Sequence, residues 1–328
     1  MSVSITRWTL LSGFIVSVSW GCGQSTQDTS DLMIRGGEEV KADDLSTIRR
    51  STVALTTDYV KEGSWRAAQS LLEAGHSFCS GTIVAPRVIV TAAHCVQELI
   101  NNNEKGGPLL PKPENFIVHF DTKIAMEGNY IRAEKVIPHP DWSPSQTLSP
   151  FPLGKPHDIG VVILSEDIPE GMMPVKIADP SIKIKDKPAV LAGFGVTKDR
   201  FNNDTGILRT ITSVFSAENG NAARVTHGTW FKGICAGDSG GPAYIEVEGE
   251  LQLVGAASTG AEIPILGCAG ANCAGDSGGP AYIEVEGELQ LVGAASTGAE
   301  IPILGCAGAN SNSTDVRHYK DWIESVSL

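Results

Sequence analysis

From residue 34 onward, apolar residues come in short runs separated by turn residues. The runs at 52–56, 81–84, 88–91, 116–120, 131–137, 159–164, 189–192, 208–214, 243–247 and 251–256 are rich in β-branched residues. Gly, Pro, Asn and Asp punctuate the gaps between them. This pattern predicts an all-β sandwich or barrel and disfavours alternating strand–helix units. Two stretches, 101–114 (NNNEKGGPLLPKPE) and 143–157 (SPSQTLSPFPLGKPH), have loop composition. Near the end, Val316, Tyr319, Trp322, Ile323 and Val326 recur at helical spacing, which predicts a docked helix.

The first 22 residues follow a different pattern. Arg7 precedes a mostly apolar stretch from Trp8 to Trp20, the layout of an export signal and too short for a membrane span. The Gly21-Cys22 junction resembles a bacterial lipoprotein processing site, with Cys22 lipidated and 23–33 serving as tether or propeptide. Ordinary signal cleavage nearby, with Cys22 incidental, is the alternative. Either route leads out of the cytoplasm, where disulfides persist.

Composition changes the picture only after a repeat is removed. The 38 residues from Cys235 to Asn272 recur without a mismatch from Cys273 to Asn310. The chain has 328 residues, net charge -13, 41% hydrophobic and 19% charged residues. Each copy holds five acidic residues and no basic ones, so a single copy would leave the charge at -8. The balance stays acidic, which disfavours nucleic acid as a partner. Without residues 1–33 and one copy, 257 residues remain, enough for one domain with surface loops.

Three short strings carry candidate chemistry. The first is Phe78-Cys79-Ser80-Gly81-Thr82, followed by Thr91-Ala92-Ala93-His94-Cys95. The second is His157-Asp158-Ile159-Gly160-Val161, and the third Gly237-Asp238-Ser239-Gly240-Gly241-Pro242. They supply His, Asp and Ser in chain order. A serine hydroxyl needs an imidazole to take its proton, and the imidazole needs a carboxylate to hold its tautomer. Glycines beside the serine let backbone N–H groups converge on a developing oxyanion. Asp-Ser-Gly clusters also make ordinary turns; the three strings together give this one its catalytic reading. Of the seven histidines only His94 is singled out. His76, His119, His139, His157, His227 and His318 read as surface or packing residues, and no zinc spacing such as HExxH occurs.

With these strings in place, the chain closely resembles trypsin-like serine proteases of the chymotrypsin fold. Ile34-Arg35-Gly36-Gly37 resembles the family's activated N-terminus, and the stretch 190–197 resembles the strand opening its second barrel. The resemblance implies two packed six-stranded antiparallel β-barrels, about 45–150 and 165–328, and a C-terminal helix. It implies a serine endopeptidase acting on peptide or protein substrates through His94, Asp158 and Ser239, with Ser277 of the second copy as the alternative nucleophile. No cofactor or metal is called for, and a monomer is expected.

The same resemblance implies bridges Cys79–Cys95, Cys235–Cys268 and Cys273–Cys306, and an oxyanion hole at Gly237 and Ser239. Cleavage before Ile34 would free an ammonium to pair with Asp238. Met33 there argues against a tryptic activator, and Arg35 departs from the usual Val. The pocket base falls at Gly233, or at Ala271 in the second register, with Ser258, Thr259 and Gly260 lining the pocket. Neither base residue is an aspartate, which points away from Arg/Lys specificity. A protease-fold binding protein, disabled by the duplication, is the competing reading. An α/β-hydrolase esterase conflicts with the order of the strings and with GDSGG.

Overall fold

The computed structural model describes residues 37–58, 70–96, 113–142, 157–196, 205–220, 224–227, 233–235, 237–259, 280–285, 288–294 and 311–327. In chain order the first part contains β1 (Glu38–Glu39), α1 (Thr47–Ser51), β2 (Thr52–Thr57), α2 (Leu71–Ala74), β3 (Cys79–Ala85) and β4 (Val88–Thr91). Then follow β5 (Phe116–His119), β6 (Tyr130–Pro138) and β7 (Gly160–Leu164). Strands β2 to β7 close an antiparallel barrel in the order β2-β3-β4-β7-β6-β5. Its interior is filled by Val53, Leu55, Ile83, Ile89, Phe116, Val118, Val162 and Leu164. All six residues of β2 are buried, because its other face packs against the neighbouring barrel through Ala54. The barrel runs through Leu164, past the limit near 150 expected from the sequence, because β7 is the strand that joins β4 to β6.

The second barrel uses β8 (Pro188–Gly193), β9 (Arg209–Asn219), β10 (Arg224–His227), β11 (Pro242–Val247), β12 (Glu250–Thr259) and, after the repeat, β15 (Ser311–Asp315). Their order is β9-β10-β15-β12-β11-β8, closed by β8 pairing with β9, and β1 adds to β9. Leu191, Ile211, Phe215, Val225, Ile245 and Val254 form its core. Two six-stranded antiparallel barrels are thus the architecture; the spacing of short runs implies an all-β sandwich or barrel, and the resemblance to the protease family implies the pair. A 3-10 turn (Val316–Tyr319) and α3 (Lys320–Val326) end the chain, so the expected helix is split in two. Asp315 caps the turn by accepting from the Arg317 N–H. Val316, Tyr319 and Ile323 pack with Val88, Val90, Val161 and Leu253 from both barrels.

The repeat divides between two places. The first copy supplies β11 and β12, inserted between β8 and β15. The second supplies β13 (Pro280–Val285) and β14 (Glu288–Ala294), a separate two-stranded sheet. Both hairpins have the same register and the same irregularity, between Ala243 and Tyr244 in one and Ala281 and Tyr282 in the other.

Tyr244 links the barrels. Its fully buried hydroxyl lies 2.8 Å from Ser51 Oγ and 3.2 Å from Thr52 Oγ1. Ser51 already donates to the Thr47 carbonyl, so Tyr244 donates to Ser51 and accepts from Thr52. Burial pushes the phenol up to about 12, and it stays protonated at working pH. Tyr244→Phe leaves two buried hydroxyls short of a partner and should cost about 1–3 kcal/mol. Urea unfolding should show a lower midpoint at unchanged slope; an unchanged midpoint would refute this role.

Candidate active site

Strand β4 ends at Thr91, and a helical turn over 93–96 carries His94 to the end of the first barrel. Cys95 is bonded to Cys79 at the start of β3, Cα–Cα 6.2 Å, which fastens this turn to the neighbouring strand. The bridge also consumes the thiolates of the Cys79, His94, Cys95 group, leaving it no soft ligands for a metal. Asp158 sits just before β7 with no exposed surface. His94 donates its backbone N–H to Asp158 Oδ1 at 2.9 Å, and its Nδ1 lies 2.9 Å from Oδ2. The ring is one-fifth exposed (19%), so its other edge can meet a reactant.

The second barrel completes the carboxylate's shell. Ser258 Oγ, on β12, donates to Asp158 Oδ2 at 2.6 Å. Thr314 Oγ1, on β15, donates to the Asp158 carbonyl at 2.8 Å. Burial alone pushes the Asp158 pKa up, but the charge and hydrogen bonds of His94 and the Ser258 hydroxyl outweigh it and hold it below 3.8. The carboxylate is therefore ionised at neutral pH, ready to fix the imidazole tautomer and stabilise an imidazolium.

The loop with Ser239 is tied down on both sides. Ser80 of β3 donates its N–H to the Ser239 carbonyl at 2.8 Å and its hydroxyl to the Gly237 carbonyl at 3.0 Å. Gly240 N–H donates to Ala257 O at 2.6 Å. Asp238 is buried, and its carboxylate accepts from Gly195 N–H and Cys235 N–H, each at 2.8 Å. Gly237 and Gly240 have φ of 93° and 79°, and a Cβ on Gly240 would collide with the Thr91 hydroxyl. Ser239 itself is half-buried, its carbonyl oxygen 3.7 Å from Cys95 Sγ, one residue from His94.

The remaining candidates divide. Gly233 is buried against β15: a Cβ there would lie 2.7 Å from Ser311 Oγ, which accepts the Ile234 N–H at 3.2 Å. Ser258, expected as pocket lining, is the partner of Asp158. Thr259 ends β12. Cys235 is disulfide-bonded, to a residue outside those described. Cys22, Ile34, Gly260, Cys268, Ala271, Cys273, Ser277 and Cys306 also lie outside them. Ser80, Ser311 and Thr314 escaped the sequence reading, since a lone hydroxyl residue gives no signal of a partner 77 to 157 positions away. His139 and His157, read as independent packing residues, are stacked on each other with ring centroids 5.0 Å apart. Chain folding around Asp158, invisible in linear spacing, brings them together.

A buried aspartate, an imidazole oriented by it and a fastened serine-bearing loop between two barrels define a serine hydrolase mechanism. A family model described as Trypsin matches residues 56–267, and the chain belongs to the trypsin family. It is 27% identical over 207 residues to CLIP domain-containing serine protease B15 of Anopheles gambiae, covering 56% of this chain and 54% of that protein. It is 22% identical to chymotrypsin-like elastase family member 1 of Macaca fascicularis, covering 72% of this chain and 83% of the relative. With the trypsin of Simulium vittatum it shares 28% identity, covering 59% of this chain and 73% of the relative. Among the described residues, no helix is long and apolar enough to cross a membrane.

Ser258→Ala removes a hydrogen bond to a charged group, worth about 1.5–3 kcal/mol. We expect kcat/KM to fall roughly tenfold or more, since 1.4 kcal/mol corresponds to tenfold, and the Asp158 pKa to rise. A depressed carboxylate pKa contributes stability that is present above its unfolded value and lost as pH falls through the folded one. Acid unfolding of Ser258→Ala should therefore begin at higher pH than in wild type. An unchanged acid midpoint together with an unchanged rate would sink the assignment.

Proposed function

We propose that this chain is an exported serine endopeptidase whose nucleophile is Ser239. The observation that carries the reading is the His94–Asp158–Ser258 hydrogen-bond network, with the Ser239 loop fastened beside it. His94 takes the Ser239 proton as the hydroxyl attacks the scissile carbonyl, and later gives it to the leaving amine. Gly237 and Ser239 N–H groups receive the oxyanion, and water then releases the acyl group. Support for the first copy over Ser277 comes from β11 and β12, which flank this loop within the barrel. Asp238, buried within the loop, is the partner for an ammonium at Ile34 freed by a non-tryptic cut after Met33. Residues 1–22 serve as export signal, with Cys22 as the point of lipid attachment to a bacterial membrane.

The floor of the specificity pocket is assigned to Gly233, facing the Ser311 hydroxyl rather than a carboxylate. Small or apolar side chains before the scissile bond suit such a floor better than Arg or Lys.

Three measurements check the proposal. A fluorophosphonate probe should label the processed chain, and Ser239→Ala should lose labelling and about 10⁶-fold in kcat, while Ser277→Ala keeps both. Labelling lost only in Ser277→Ala would transfer the role to the second copy. A peptide panel should favour apolar or small residues at the cleaved position, and a clear Arg/Lys preference would contradict the pocket assignment. N-terminal sequencing of active enzyme should begin at Ile34; a fully active, uncut precursor would refute the activation step.

A further inference from the structure

Next to Asp158 in the chain, at His157, begins a second group of chemically capable side chains. Strand β6 ends at Pro138, and the next residue, His139, donates its backbone N–H to the Ile159 carbonyl at 2.9 Å. Ile159 in turn donates to the His157 carbonyl at 2.7 Å. His157 takes φ of 55°, a left-handed backbone uncommon outside glycine, which brings its ring over His139. The imidazoles lie nearly parallel, 11° between planes. A turn closed by the Trp142 N–H on the His139 carbonyl, at 3.0 Å, brings Asp141 back toward the pair. One nitrogen from each imidazole and one Asp141 carboxylate oxygen all lie within 4.8 Å of one another. The His94–Asp158–Ser258 network uses none of the three.

The surroundings orient the rings. Tyr319 Oη lies 3.0 Å from His157 Nδ1, which leaves Nε2 as the available nitrogen. The Tyr319 ring meets His139 edge-on at 5.1 Å, and Trp322 closes the other approach at 4.8 Å. A hydrogen bond from the second ring nitrogen to a neighbouring oxygen is how proteins fix the tautomer of a metal-bound imidazole. Asp141 is exposed and both histidines are half-buried, so an ion could enter from solvent.

We propose that His139, Asp141 and His157 form a binding site for a zinc-class divalent transition ion, with a fourth position open to water. Two imidazoles and one carboxylate suit zinc, nickel or copper. Calcium and magnesium, which take oxygen donors, are poorly served. Zinc bonds of about 2.0–2.1 Å in a tetrahedral arrangement hold donors roughly 3.3 Å apart. Binding therefore draws the three groups inward, by rotation of the imidazoles and movement of the exposed carboxylate. Because His157 precedes Asp158, the ion would sit one residue from the catalytic carboxylate while contacting none of the reacting atoms.

The test is equilibrium dialysis of the whole, disulfide-intact chain against zinc chloride, with metal counted by atomic absorption and unfolding followed by heating. Wild type should hold about one zinc per chain with a raised Tm, and excess calcium should not displace it. His139→Gln and His157→Gln should each weaken binding at least tenfold and abolish the Tm rise, whereas His94→Gln should retain both. Asp141→Asn, at an exposed position, keeps the test valid if the histidine variants do not fold, and it too should lose at least tenfold. Zinc affinity unchanged in Asp141→Asn or His139→Gln would overturn the site, as would zinc binding that disappears with His94→Gln.

Discussion

A carboxylate without exposed surface loses its hydration, and the protein must replace it with hydrogen bonds or the ionised form becomes untenable. Asp158 is in that position, and its donors come from both halves of the molecule. His94 reaches it from the turn after β4, and Ser258 reaches it from β12 in the second barrel. Thr314 of β15 holds the carbonyl of the same residue. If the barrels docked differently, a buried negative charge would lose the Ser258 hydroxyl. The docking thereby secures the carboxylate that orients His94. Stability and catalytic geometry thus depend on one set of contacts.

The Ser239 loop extends this dependence. It belongs to the second barrel, yet Ser80 of the first holds two of its carbonyls. Ser80 also accepts the Phe194 N–H at 2.9 Å, so one small side chain spans the junction. A larger residue at position 80 would separate the loop from the His94 turn. Glycine at 240 serves the same close approach from the other side, since a Cβ there would collide with Thr91 and the Ser80 carbonyl. Tyr244 makes a further cross-barrel link through Ser51 and Thr52.

Much of this was legible in the sequence because it is written in local pattern. The runs at 88–91 and 243–247 match β4 and β11 to within a residue, since alternation and turn punctuation are properties of neighbouring positions. His94 and Asp158 were recognisable because their flanking strings are distinctive. By contrast, β15 reads SNSTD, with no apolar residue, yet all five residues are buried. Its polar side chains are satisfied by partners distant in the chain, such as the Asp158 carbonyl, Ile234 N–H and His227. Arg209 is similarly buried within β9, its guanidinium donating to the Gly195 carbonyl at 3.0 Å. Hydrophobic patterning cannot find a strand or a buried cation whose solvation is supplied by tertiary structure.

The duplicated hairpin separates what local sequence determines from what it leaves open. β11–β12 and β13–β14 share sequence, register and irregularity, so hairpin geometry is local. Which hairpin enters the barrel depends on the connections on either side. Seating the first copy lengthens the link from β12 to β15 from about thirteen residues to about fifty. Seating the second would lengthen the link from β10 to the serine loop from about seven residues to about forty-five. At roughly 0.6 kcal/mol per doubling, the first arrangement costs about 1.2 kcal/mol and the second about 1.6. Chain entropy thus favours the observed arrangement, though by less than one hydrogen bond. Identical hairpins make identical barrel contacts, and those contacts cannot add to the preference. The choice between Ser239 and Ser277 therefore rests on the lengths and chemistry of the connecting segments, among them the bridge formed by Cys235.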